Sequence, residues 1–132
     1  MARLTRVLAV GLLALGVSCT PAGAAPSEVI VNIEHSRFDP GTIDVDAGTT
    51  VTFVVHNSDP IDHEFIIGDQ AMQDIHEKGT EAHHGARPGE ISVPALSTRT
   101  TTYTFTGPGT LIYGCHLPSH YDYGMRGVLE IS

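Results

Sequence analysis

The chain has 132 residues, 15 acidic against seven basic, a formal net charge of −8 and eight histidines. That length holds one domain and not two. A surface this acidic repels nucleic acid and anionic membranes and favours basic partners.

Residues 1–24 read as an export signal. Arg3 and Arg6 form a basic start, Val7 to Val17 an apolar run, and Ala22-Gly23-Ala24 a small-x-small cleavage site. The run is shorter than the roughly 20 residues of a lasting membrane span. Cleavage after Ala24 leaves one domain, residues 25–132, in the periplasm or outside the cell, with five basic residues and a charge of −10. Cys19 offers an alternative, a lipid-anchored form, but Gly16 stands where a lipobox carries a large aliphatic residue. Once the signal is gone, Cys115 has no disulfide partner within the chain. A lone thiol in an oxidising compartment is a buried inert group, an intermolecular link or a metal ligand.

The remaining chain alternates with period two. Val29, Val31 and Ile33 mark the first strand, Ile43 and Val45 the next, then Val51, Phe53 and Val55. Gly68 to Glu90 is a polar stretch rich in His and Glu, with a short helix predicted over Ala71 to Lys78. Thr101, Tyr103 and Phe105 resume the alternation, and Leu111, Tyr113 and Cys115 share one face of a further strand. Turn signals at Asp39-Pro40-Gly41, Ala47-Gly48, Asn57 to Pro60 and Gly107-Pro108-Gly109 separate these runs. Short half-buried strands at this spacing predict an all-β fold, a two-sheet sandwich.

Cys115, His120 and Met125 come at intervals of five. A thiolate at a strand end, with an imidazole and a thioether on the following loop, can converge on one ion. A fourth ligand must come from elsewhere, and His63 suits by its position, in the turn after the Val51–Val55 strand and far before Cys115 in the chain. Two His and one Cys with a weak axial Met form a blue-copper set: the sulfur donors stabilise Cu(I), and imidazole suits both oxidation states. A zinc site would not need Met.

Cys115-x4-His120-x4-Met125, with Pro118 inside and Gly124 before the Met, resembles the copper loop of cupredoxins, closest to rusticyanin-like members in spacing. Phe38-x-Pro40-x-x-Ile43-x-Val45-x-x-Gly48-x-x-Val51-x-Phe53-x-Val55-x-Asn57, followed by His63-Glu64-Phe65, is similar to the family's upstream pattern. The resemblance implies an antiparallel Greek-key sandwich with one type 1 copper at one end and Met125 as the axial ligand. It also implies one-electron transfer as the first function. Extracytoplasmic copper sequestration, resistance or delivery is the alternative, because the Gly68–Glu90 insertion resembles the loop of copper-handling relatives. Asn57 either braces the copper loops or only makes a turn.

His116 would point away from Cys115, toward the surface or second-sheet packing. Gly114 stands where multicopper oxidases have the first His of a His-Cys-His triplet, and no His-x-His pair occurs, so no enzymatic activity is expected. Met72, His76, His83 and His84 read first as an exposed polar loop and second as a weaker accessory copper site. His35 and His56 read as structural or solvated. The expected partner is a redox protein with a basic surface, docking around His120 with Leu117, Pro118 and Tyr121, and the chain is expected to act as a monomer.

Overall fold

In the computed structural model, residues 27–79, 84–85 and 87–132 are described. The expected export signal, Cys19 and His83 lie outside them. The elements are β1 (Ser27–Glu34), β2 (Arg37–Asp39), β3 (Thr42–Val45), β4 (Thr50–Asn57), β5 (His63–Gly68), α1 (Gln70–Glu77), β6 (Glu90–Val93), β7 (Thr98–Thr104), β8 (Gly109–Gly114) and β9 (Arg126–Ile131). They form a β-sandwich of two sheets, β2-β1-β4-β7 and β3-β9-β8-β5-β6. Pairing is antiparallel except for β1 with β4 and β3 with β9, which run parallel.

The period-two pattern becomes burial. Along β4, Val51, Phe53, Val55 and Asn57 turn inward and their neighbours outward. Val51, Phe53 and Val55 meet Phe65, Ile67, Phe105, Tyr113 and Leu129 in one core. Aromatic rings close it: Phe65 contacts Phe38, Phe53 and Tyr113 with centroids 5.8, 5.5 and 5.3 Å apart.

β5 has no alternation because both its faces are covered, one by the core and the other by α1; every residue from His63 to Gly68 is buried. The helix begins at Asp69, whose side chain accepts the Met72 N–H at 2.9 Å. Fully buried Gln73 fastens it to the sheet, its amide donating to the carbonyls of Ile66 (3.2 Å) and Ile112 (3.1 Å). Gly68 is required where the chain enters the helix, since a Cβ there would sit 2.6 Å from the Met72 side chain.

Candidate metal centre

Strand register decides where the ligand types meet. β5 pairs antiparallel with β8, Ile66 opposite Gly114. The start of β5 therefore lies beside the end of β8, and His63 comes next to Cys115 despite their distance along the chain. The Cys115–Met125 loop then folds back on itself. His120 N–H donates to Leu117 O (2.9 Å), Met125 N–H to His120 O (3.0 Å) and Cys115 N–H to Met125 O (3.2 Å). The intervals of five thus close a backbone-bonded ring at one end of the sandwich.

Cys115, Met125 and His63 are 0, 1 and 1 % exposed, and His120 is half-buried. Sγ of Cys115 stands 3.3 Å from His120 Nδ1 and 3.9 Å from His63 Nδ1, and the two Nδ1 atoms are 3.3 Å apart. Donors held about 2.0–2.3 Å from one ion at trigonal angles are themselves about 3.5–3.7 Å apart. With sides of 3.3, 3.3 and 3.9 Å the triangle is within a few tenths of an ångström of that size before any ion is considered, so a soft ion of copper type fits it.

The tautomer of His63 is set from behind. Its Nε2 lies 2.9 Å from Asp59 Oδ2. Asp59, buried, also accepts the backbone N–H groups of His35 and Ser36, at 2.7 Å each. Both those residues are left-handed, with φ of 53° and 54°, so their N–H groups converge on the carboxylate. Burial pulls the Asp59 carboxyl upward, but the bonds from Ser36, His35 and His63 outweigh it and hold it below the usual carboxylate range. An ionised Asp59 keeps the proton on His63 Nε2 and turns the lone pair of Nδ1 to the triangle. Burial, with His63 beside it, lowers the pKa of His120, which favours the neutral ligating form.

Burial pushes the Cys115 thiol up to about 11, against hydrogen bonds from the Leu117 and Glu64 N–H groups that lower it. The Glu64 N–H reaches Sγ at 3.3 Å. Asn57 is a brace: Nδ2 donates to Ile61 O (2.8 Å), Val93 O (3.1 Å) and Pro94 O (3.1 Å), and Oδ1 accepts the Asp59 N–H (3.0 Å). It ties the turn carrying Asp59 to the loop after β6, and His63 follows that turn as the first residue of β5 rather than lying in it.

His116 does face away from Cys115, against α1. Its ring stacks on Tyr121 at 4.7 Å, with Nδ1 2.7 Å from Glu77 and Nε2 2.6 Å from Gln73 Oε1. Tyr121 is 6 % exposed and so is not part of an open docking patch. In the insertion, His76 and His84 come together rather than lying exposed, with ring centroids 5.2 Å apart. Met72 lies against Gly68. Sequence reasoning missed Asp59, Glu64 and Glu90. The signal for Asp59 was a carboxylate one short turn before His63, which reads equally as an ordinary Asp-Pro turn.

A family profile described as copper binding proteins, plastocyanin/azurin family, matches residues 25–132. The copper-resistant cuproprotein CopI of Rubrivivax gelatinosus is 35% identical over 117 residues, covering 84% of this chain and 71% of that protein. CopI of Pseudomonas aeruginosa is 28% identical over 142 residues, covering 83% and 78%. Among solved structures, auracyanin A of Chloroflexus aurantiacus, a "blue" copper protein, aligns with a TM-score of 0.64 at 26% identity over 82% of this chain and all of its own. Auracyanin B aligns with a TM-score of 0.68 at 19% identity, over 84% and 93%, a likeness of fold.

Proposed function

The chain belongs to the plastocyanin/azurin family of copper-binding proteins, and we propose that it is exported, holds one copper ion as a type 1 centre, and serves copper tolerance outside the cytoplasm. The ligands are His63, Cys115, His120 and Met125. The observation that carries the centre is the preformed triangle of one Sγ and two Nδ1 atoms within 4.8 Å of one another.

The bound ion supplies one-electron Cu(II)/Cu(I) chemistry. The chain's own groups prepare for it. Cys115, a neutral thiol until metal arrives, gives up its proton on loading, and the Glu64 N–H then faces the sulfur charge. Asp59 keeps His63 Nδ1 unprotonated, and the bonded ring from Cys115 to Met125 limits how far the ligands move between oxidation states.

Tolerance is supported by two relatives named as copper-resistant cuproproteins and by the helical insertion packed beside the centre. Electron carriage is the second reading, favoured by the half-exposed edge of His120 and the apolar groups at that end. Leu117 and Pro118 lie within the copper loop, while Ile61 and Leu96, 47 and 72 % exposed, lie on turns bonded to Asn57 and Asp59. In that reading a monomer docks a basic redox protein, without turnover of a substrate.

Absorption and EPR spectra of the copper-loaded protein test the centre. An intense visible thiolate-to-copper band with small hyperfine splitting is expected, and Cys115→Ser should abolish it; a variant that keeps the band refutes the ligand assignment. A strain lacking the protein should be copper-sensitive and should not be rescued by Cys115→Ser. Copper-insensitive growth of that strain would favour electron carriage.

A further inference from the structure

A second group of ligand atoms lies under the helical insertion. His63 and Glu64 are successive strand residues, so Glu64 points away from the primary centre, toward α1. There His76 of α1, His84 beyond it and Glu90 at the start of β6 each bring a ligand atom within 4.8 Å of the others. Their side chains are 4, 3 and 8 % exposed.

His76 Nε2 and His84 Nδ1 each stand 3.7 Å from Glu90 Oε2. That is longer than an N–H···O hydrogen bond, about 2.7–3.2 Å. Two donors about 2.0–2.2 Å from one ion stand about 2.8–3.8 Å apart between right-angled and trigonal arrangements, so both pairs are within reach of a shared ion.

The imidazoles are oriented for this. His76 Nδ1 lies 3.0 Å from the Met72 carbonyl. A carbonyl only accepts, so the proton sits on Nδ1 and the Nε2 lone pair faces Glu90. His84 Nε2 lies 3.5 Å from Glu64 Oε1, which turns Nδ1 toward Glu90. Glu64 is itself held, its Oε2 accepting the His116 N–H at 3.2 Å. His116 is occupied by Glu77 and Gln73 and is not a ligand. Arg87, its side chain 64 % exposed, reaches Glu90 only at 3.8 Å. Two carboxylates, Glu64 and Glu90, are thus buried at 4 and 6 % exposure among imidazoles, with Arg87 at the edge of the group, a setting that suits a further cation.

The geometry points to a second metal site for Cu(II), held by His76 Nε2, His84 Nδ1 and Glu90 Oε2, with Glu64 as a positioning residue. Two imidazoles and a carboxylate, with no sulfur among the three, disfavour Cu(I), and among divalent first-row ions affinity peaks at Cu(II). The site shares no ligand with the primary centre, so each assignment stands or falls separately.

The test is a Cu(II) titration of the protein followed by EPR and metal count. Two ions per chain are expected, one with the small hyperfine splitting of a thiolate centre and one with large splitting and imidazole nitrogen couplings. His76→Ala should remove the second signal or weaken its binding on the order of 100-fold, with the blue band unchanged. Glu90→Gln, isosteric and therefore safe for the fold, should weaken the same ion. Glu64→Gln should weaken it less. Saturation at a single ion would overturn the proposal and leave the cluster as imidazoles packed against carboxylates. A second ion that binds equally well in His76→Ala and Glu90→Gln would overturn it too, by placing that ion elsewhere on the chain.

Discussion

Removing the Asp59 side chain is expected to unfasten both the fold and the metal centre. Its carboxylate accepts three hydrogen bonds, from His63 Nε2 at 2.9 Å and from the His35 and Ser36 N–H groups at 2.7 Å. Bonds to a charged acceptor contribute about 1.5–3 kcal/mol each, and stranded buried donors cost about 1–3 kcal/mol. The two backbone donors are only part-buried and regain some water, so the low end of each range applies. Asp59→Ala should then cost about 3–5 kcal/mol, including release of the left-handed turn at His35 and Ser36. Loss of the orienting acceptor should weaken copper binding about 10–100-fold. Asp59→Asn should be milder. Its single oxygen can serve Ser36 and His63 together, because Oδ2 does so now. That leaves one conflict at the His35 N–H, about 1–3 kcal/mol, and a near-normal copper affinity. Urea unfolding of the metal-free proteins and competition titration with a copper chelator measure the two effects. An Asp59→Ala protein within about 1 kcal/mol of wild type, with undiminished affinity, would refute the reasoning.

Met125→Leu should still bind copper and stay coloured but show a raised potential by voltammetry, because losing a weak axial donor disfavours Cu(II); complete loss of binding would show that Met125 does more than tune. The pKa of Tyr113 is pushed up to about 12 by burial and then by the charge of Asp39. The unfolded chain therefore releases that proton first, and the stability held below pH ~10 is lost as pH rises toward 12. Tyrosinate absorbance should show Tyr113 among the late-titrating of the four tyrosines, and Tyr113→Phe should remove one late step. Simultaneous titration of all four near the free value would contradict this.

The primary centre was legible because most of it is local. Cys115, His120 and Met125 share one short stretch of chain, and their even spacing is that of a loop that closes through its own backbone hydrogen bonds. The strands with one buried face were legible too, since alternation in β1, β3 and β4 is burial written along the chain. The helix over Ala71 to Lys78 appeared as Gln70–Glu77. β5 was not legible: covered on both faces, it has no period to show. β6, which follows the polar insertion, was hidden in the same way, with three of its four residues buried.

Tertiary structure alone decided which polar residues work together. Asp59, Glu64 and Glu90 are charged residues in turn-like or polar stretches, which sequence places in solvent; packing buries all three at 4–7 % exposure. His76, within the insertion, and Glu90, at its end, belong to different elements yet stand 3.7 Å apart in space, because α1 lies on the outer face of β5 while β6 pairs with its edge. Side-chain identity states which donors a chain owns. Strand register and the docking of one short helix determine which of them converge.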